Sequence, residues 1–232
     1  MKKILITQSN YIPWKGYFDA MNLVDEVILY DDAQFTKRDW RNRNIIKTAN
    51  GVLWLSIPVE SKGKFFQKIR EVQTSEKKWN EKHWRALLAN YAKAPHFKAM
   101  KEFVEHLYMS ATMDNLSEIN YWFLTEISKW MKIQTPIQFC DSFPAEIENP
   151  TEKLVAISKL RGASHYYTGP AAMAYLEEEK FKEANINICY LDYTNYPEYP
   201  QLHAPFNHNV TILDLLFNTG ISFSSYMKSV NT

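Results

Sequence analysis

Two adjacent carboxylates, Asp31 and Asp32, close the short apolar run Val27-Ile28-Leu29-Tyr30, and a polar cluster follows directly: Gln34, Lys37, Arg38, Asp39, Arg41, Asn42, Arg43 and Asn44. Paired carboxylates at a strand end can hold a metal, orient a sugar hydroxyl or act as a base, and their proton affinities tend to shift in a pocket. Their competing role is to cap the turn that follows. Arg38, Arg41 and Arg43 can clamp a diphosphate or carboxylate through paired hydrogen bonds, or form the solvated face of a hairpin. Just upstream, Gln8 precedes Tyr11, Trp14 and Tyr17, which with Trp40 offer apolar faces with polar tips suited to stacking on a sugar or purine ring. The stretch 8–44 is therefore expected to hold the ligand, with Asp31 and Asp32 as catalytic candidates. Gln8, Tyr11, Trp14, Gln34, Arg38, Arg41, Asn42 and Arg43 are the binding candidates.

Two places outside that stretch add to the candidates. Gly169-Pro170-Ala171 falls where a strand meets a helix, and free backbone N–H groups there suit a phosphate or carboxylate, although every helix start has free amides. His203 and His208 lie in a loop with Tyr199 and Gln201, downstream of Asp192, where an acid/base or zinc-ligand role competes with a structural one. The other histidines are expected on helices (His83, His106), at a helix start (His96) and at a strand start (His165). No glycine-rich phosphate loop, nucleophile elbow or zinc-peptidase motif occurs, and no metal site is expected.

The elements that must position these groups follow from apolar periodicity. Residues 3–7 read as a strand, 8–15 as a loop in which Pro13 bars regular helix, 16–24 as a short helix and 26–30 as a second strand. In open α/β sheets ligands collect beyond the carboxyl ends of the strands, which puts 8–14 and 31–34 on one edge. Residues 42–48 and 52–59 flank Asn50-Gly51, a dipeptide favouring a hairpin turn that would carry Arg41, Arg43 and Lys47 outward. Residues 61–64 read as an exposed connection and 69–72 as a further short strand. From 76 to 132 the pattern is helical, with breaks near Ala94-Pro95 and at 112–115. Asp114 with Ser117 and Glu118 resembles the cap of the last of three helices. Strand–helix alternation then returns: a strand over 136–140 ending near Asp141, a helix over 150–160 opened by Asn149-Pro150 and stopped by Gly162, a strand over 164–168, a helix over 171–179, a strand over 186–192 and an apolar helix over 211–218 closed by Gly220. The expected fold is one α/β domain over 1–232, a mostly parallel open sheet with flanking helices, a β-hairpin, and 76–132 as a helical insertion or lid.

Composition narrows the function classes. Lys and Arg number 27 against 26 Asp and Glu, so a net charge of +1 provides no general field for nucleic acid or anionic membrane, and any anion binding must be local. No apolar run reaches the ~20 residues of a spanning helix, and the start MKKILITQSN is too short for a secretory signal. A cytoplasmic protein without membrane insertion is expected. Cys140 and Cys189, in apolar runs without ligand spacing, read as reduced, buried fillers.

The segments QSNYIPWKGYF, YDDAQFTKRDWRNRN, VLWLSIPV, YYTGPAAMAYL and YPQLHAPFNHNVTILDLLFNTG, in this order over nearly the whole chain, resemble the WbqC-like protein family. One departure is Ser9, where the family pattern leads to proline after Gln8, and it is expected to loosen the loop. The resemblance implies a transferase that modifies a sugar or sugar nucleotide in surface polysaccharide (O-antigen, lipopolysaccharide) biosynthesis, for example by aminoacyl (glycine) transfer to an amino sugar. It implies a nucleotide, ATP or a sugar nucleotide, as the accompanying small molecule, and contact with glycosyltransferases as a partnership; it assigns no catalytic residue. Two alternatives stand beside it. The opening strand, loop, helix and acid-ended strand resemble nucleotidylyltransferase-like folds, although their first-loop histidine has no counterpart here. A non-catalytic sugar-binding or docking subunit is the other.

Overall fold

The computed structural model describes residues 1–140 and 147–229. Five parallel strands form one sheet in the order β5-β2-β1-β6-β7: β1 (Lys3–Thr7), β2 (Glu26–Leu29), β5 (Ile137–Phe139), β6 (His165–Thr168) and β7 (Asn187–Tyr190). A separate antiparallel pair joins β3 (Arg43–Thr48) to β4 (Gly51–Ser56). Strand period two sorts the sheet's side chains between two cores. Leu5, Val27 and Leu29 point into one, with Tyr11, Phe18, the hairpin residues Ile46 and Leu55, and much of the helical segment. Ile4, Ile6, Ile28 and Tyr166 point into the other, under α5 (Pro150–Leu160) and α6 (Glu178–Glu183). With both faces covered, β1 is apolar at every central position, as buried parallel strands are.

Helix α1 (Lys15–Asn22) crosses from β1 to β2, and α2 (Trp79–Tyr91), α3 (Phe97–Met109) and α4 (Leu116–Trp130) form the helical segment. Trp79, Leu87, Val104, Leu107, Phe123 and Ile127 bury themselves in the same core as Leu5 and Val27, so these helices are a layer of the fold. Helix α7 (Ile212–Thr219) is almost wholly buried and ends on Gly220. Gly220 has φ 55, and a Cβ there would lie 2.5 Å from the His96 ring at the start of α3, so both conformation and space require glycine.

Several expectations are corrected. Residues 69–72 do not add a strand: Ile69–Glu71 is a 3-10 turn closed by Lys68 N–H to Glu71 Oε2 (2.8 Å) and Glu71 N–H to the Lys68 carbonyl (3.0 Å). The helix expected over 171–179 is a 3-10 turn at Pro170–Ala174 followed by α6, because the Glu177 N–H is donated sideways to Thr151 of α5 (3.3 Å). The hairpin turn sits one residue early, since Thr48 pairs with Gly51 and Asn50 N–H bonds to Thr48 Oγ1 (3.2 Å). Lys47 points inward, 3% exposed, with Nζ donating to the Pro205 carbonyl (2.6 Å). The cap of α4 is Asn115, whose Oδ1 accepts the Glu118 N–H (3.2 Å), while Asp114 faces Thr74. Cys140 is buried but Cys189 is half-buried on the outer strand, and both are free thiols. Asp141, the expected strand end, lies outside the described residues, as do the last three residues of the tail.

Candidate functional site

The sheet reverses its order at β1, which has β2 on one side and β6 on the other. A crevice at the carboxyl ends of such strands is the favoured ligand position of open parallel sheets. The loop after β1 is held in an unusual conformation: Ile12 is β-branched, fully buried and has φ 37. Strain of this kind concentrates at functional sites because the surroundings must enforce it. Here Asn44 enforces it, donating Nδ2–H to the carbonyls of Tyr11 (3.1 Å) and Ile12 (2.8 Å), while the Tyr11 N–H bonds to the Trp40 carbonyl (3.1 Å).

Two clefts open on this edge. One, of about 180 Å³, is lined by Asn10, Pro13, Trp14, Trp40, Asn44 and Asn209, and so combines indole faces with side-chain amides. The other, of about 200 Å³, is lined by Asp31, Asp32, Arg70, Asn115, Ser117 and Glu118 with Leu29, Phe139 and Cys140. A buried polar chain connects them. Ser9 donates its N–H to Asp31 Oδ1 (2.8 Å) and its hydroxyl to Oδ2 (2.6 Å), which also accepts from Ser117 Oγ (2.6 Å). Asn120 Nδ2 donates to Ser9 Oγ (3.0 Å) and to the Arg41 carbonyl (2.9 Å), and the Arg41 guanidinium donates to Asn10 Oδ1. Larger depressions of about 630 and 590 Å³ lie beside Thr125–Gln138 and Glu178–Tyr190, on the outer strands and without any of the expected residues. Position beyond the carboxyl ends of β1 and β2, not volume, selects the two smaller clefts.

Asp31 is 2% exposed and fully engaged by hydrogen bonds, so it fastens the first loop to α4. Ser9 therefore tightens the loop it was expected to loosen. Asp32 is bound by Lys68 Nζ (2.8 Å) and Arg70 Nη1 (3.0 Å), both from the turn after the hairpin and both about half exposed. Arg41 Nε, Arg43 Nε and Asn120 Oδ1 are buried with no protein partner. Of these, the two Arg Nε–H groups are donors that an anionic ligand can take up, whereas Asn120 Oδ1 is an acceptor and calls for a donor. Arg43 also lies with its guanidinium carbon 4.0 Å from the centre of the Trp54 ring, and Trp54 packs on Trp40 at 5.4 Å with the rings tilted by 33°. Beside Arg41, burial raises the Asp39 pKa but the Arg41 charge and the Thr36 hydroxyl outweigh it, leaving the carboxyl below its usual range.

Not every expected residue reaches a cleft. Tyr11 is wholly buried between Trp79 and Phe123, so stacking on a ligand does not fit it; its hydroxyl joins His83 Nδ1 (2.8 Å) and the Tyr108 hydroxyl (2.9 Å). Asn42 holds the strand end through Ile57 (2.8 Å), and Gln34 bonds the Phe65 carbonyl (2.9 Å). Arg38 is exposed with φ 62, and Gln8 is half-buried where β1 ends. Gly169 follows β6 beside the Tyr193 ring, Pro170 has no N–H, and the Ala172 N–H is donated to Gly169 O (3.1 Å). His203 bonds the Asn90 carbonyl (3.2 Å), away from both clefts. His208 packs edge-on to Phe206, its Nδ1 buried and unpartnered, and its pKa is lowered by burial and then by the nearby Lys15 charge.

Lys15, absent from the expected set, is 3% exposed, donates to the Pro197 carbonyl (2.6 Å) and sits 5.3 and 5.2 Å from the Tyr196 and Tyr199 rings. Burial pulls its pKa down to about 8, against the raising effect of Asp19 and Glu198. Next to it, Trp14 folds back so that a Cβ on Gly16 would fall 2.2 Å from the indole, and Tyr193 and Tyr196 fix the ring edge-on at 5.3 and 5.4 Å. The one sequence signal for this arrangement is the succession Trp14-Lys15-Gly16 itself. The closing segment completes the site: Ile212 N–H bonds to the Pro13 carbonyl (2.8 Å), which brings Asn209 to Trp14.

The five-stranded parallel sheet with flanking helices and a separate two-stranded hairpin makes this an α/β protein, with two clefts at the carboxyl ends of its strands. The chain belongs to the WbqC-like protein family, which matches residues 8–226. It is similar to an uncharacterized protein, Rv1507c, of Mycobacterium tuberculosis (strain ATCC 25618 / H37Rv), at 43% identity over 229 residues and 98% of each chain. No solved structure matches. Family membership suggests an association with polysaccharide biosynthesis. Among the described residues no helix is long and apolar enough to cross a membrane, and no group of three or more His, Cys, Asp or Glu is placed to hold a metal ion.

Proposed function

We propose that the protein is a cytoplasmic transferase of polysaccharide biosynthesis that moves an aminoacyl group, such as glycyl, onto the amine of a nucleotide-linked amino sugar. The observation that carries this reading is the pair of connected clefts: indoles and amides in one (Trp14, Trp40, Asn10, Asn44, Asn209), carboxylates with arginine in the other (Asp31, Asp32, Glu118, Arg70). Aromatic faces with amide donors and acceptors match the apolar faces and hydroxyl rims of a sugar ring. The unpartnered Nε–H groups of Arg41 and Arg43 suit a phosphate of the carrier.

Glycine is first activated by ATP: a carboxylate oxygen attacks the α-phosphorus and pyrophosphate leaves, giving a mixed anhydride of glycine with AMP. In the transfer, the amine lone pair attacks the carbonyl carbon of that anhydride. The C–N bond forms, the C–O bond to phosphate breaks and the phosphate-bearing nucleotide leaves with the electron pair. Asp32 takes the proton released by the amine. Its partners Lys68 and Arg70 are exposed enough to turn onto the donor phosphate, which would free the carboxylate as the substrate arrives. Asp31 acts through Ser9, Ser117 and the loop they position. Incubating the protein with nucleotide-linked amino sugars, ATP and glycine and weighing the products by mass spectrometry tests this: a mass gain of one glycyl group supports it, and no change across a broad sugar panel overturns it.

A further inference from the structure

Phe65 and Phe66 are 72% and 84% exposed, among the most exposed large apolar side chains of the fold, and they sit side by side with ring centres 5.0 Å apart. Their loop is held out from the body by hydrogen bonds. Gln34 Nε2 donates to the Phe65 carbonyl (2.9 Å), Phe35 N–H to the Gln67 carbonyl (2.9 Å) and Gln67 Nε2 to the Glu60 carbonyl (3.0 Å), while Gly63 turns the chain at φ 75. The loop backbone is thus fixed while both rings stand in solvent, and no internal core takes them up.

The charge around them is net basic. Segments 31–43 and 60–71, joined by the Gln34–Lys68 bridge, hold eight Lys and Arg against five Asp and Glu, in a chain whose total is 27 against 26. Lys64 is paired with Glu60 (2.6 Å), and Lys68 and Arg70 share Asp32. Lys37, Arg38 and Lys62 are exposed and form no ion pair among the described residues. Trp40 and Trp54, each 40% exposed, form a second exposed aromatic pair, and Trp40 also lines the smaller cleft.

We infer that the Phe65–Phe66 loop and the basic residues around it dock the protein peripherally on an anionic membrane surface. Aromatic side chains enter the boundary between headgroups and acyl chains, and lysines beside them meet the acidic headgroups. A protein partner would instead favour a broad face with a buried anchor ringed by neutral contacts, whereas these two rings project from a turn. Charge complementarity selects an acidic bilayer over a neutral one. Docking of this kind is a local effect and is compatible with the near-zero net charge of the chain. It stands apart from the transferase reading, because vesicle binding is measured without turnover.

Co-sedimentation with vesicles of phosphatidylcholine, alone or with about one-third phosphatidylglycerol, tests the inference. The intact protein is expected to bind the acidic vesicles about tenfold better than the neutral ones and to be released by high salt. Phe65→Ser with Phe66→Ser should abolish binding without moving the melting temperature, and Lys37→Glu with Lys62→Glu should weaken it on acidic vesicles alone. Equal sedimentation with both vesicle types, or with neither, overturns the inference. So does a protein that ignores vesicles but self-associates through the same two phenylalanines.

Discussion

Ser9 and Asp31 are joined twice, backbone N–H to Oδ1 at 2.8 Å and hydroxyl to Oδ2 at 2.6 Å, across the carboxyl ends of β1 and β2. With Ser117 on the same carboxylate, one buried anion fixes the first loop, the second loop and α4 relative to one another. Hydrogen bonds to a charged group contribute roughly 1.5–3 kcal/mol, and stranding a buried charge costs more. Ser9→Ala is expected to lower stability by about 1–2 kcal/mol and Asp31→Asn by about 2–4 kcal/mol, the amide facing two hydroxyls and an N–H that all donate. Urea denaturation checks both. An unchanged midpoint for Asp31→Asn would remove the fastening role.

His83 links Tyr11 to the hairpin in a directed chain. Its Nε2–H donates to the Ser56 carbonyl (3.2 Å), so Nδ1 accepts from the Tyr11 hydroxyl, which accepts from Tyr108. Burial pushes the imidazole pKa down to about 4, below the 6.5 of an exposed histidine. Between those values the unfolded chain binds the extra proton, so stability is full above pH 6.5 and is lost as pH falls toward 4, by up to about 3 kcal/mol. Melting temperatures over that range should fall for the intact protein and fall less steeply for His83→Gln.

Lys15 gives the opposite end of the pH scale. Its folded pKa of about 8 lies below the 10.5 of a free lysine, so between pH 8 and 10.5 the unfolded state binds more protons. Its contribution to stability rises through that window and is least favourable below pH 8. Lys15→Met should therefore be more stable than the intact protein at pH 7, with the gap closing as pH approaches 10.5, read by thermal denaturation. A loss of stability at pH 7 would mean that the bond to the Pro197 carbonyl outweighs the burial of the charge.

Gly16 has no room for a methyl group under the Trp14 indole, 2.2 Å away. Gly16→Ala should push the indole out of the cleft it shares with Trp40, Asn10 and Asn209 and cost about tenfold or more in sugar affinity, while Trp14→Phe keeps part of it. Calorimetric titration with a nucleotide-linked amino sugar distinguishes the two.

Much of the frame was legible because buried parallel strands are short apolar runs and their loops fall on one edge: 3–7, 26–30 and 164–168 are nearly the observed β1, β2 and β6. Caps with local chemistry, such as Asn149-Pro150 before α5, were legible for the same reason. Residues 69–72 carry strand-like side chains in Ile69 and Val72, but the distant acceptors Asp31 and Ala33 decide their shape. The hairpin register alone would carry Lys47 outward, and the aromatic type of Tyr11 suits ligand stacking, but Pro205, His83 and Tyr108 supply the polar partners that let both go inside. Lys15 and Asn209 escaped notice because the pairing of the first loop with the closing segment is a contact of some two hundred residues' separation. No local pattern encodes it.

The most direct test of the account is the transfer assay run on the intact protein and on Asp32→Asn side by side, with binding of the nucleotide-linked amino sugar measured on the same samples. The account expects a glycyl mass gain from the intact protein and a drop of at least about a hundredfold in rate for the variant, with sugar affinity largely kept. Binding with no mass gain from the intact protein, or a variant that transfers at the full rate, would contradict it.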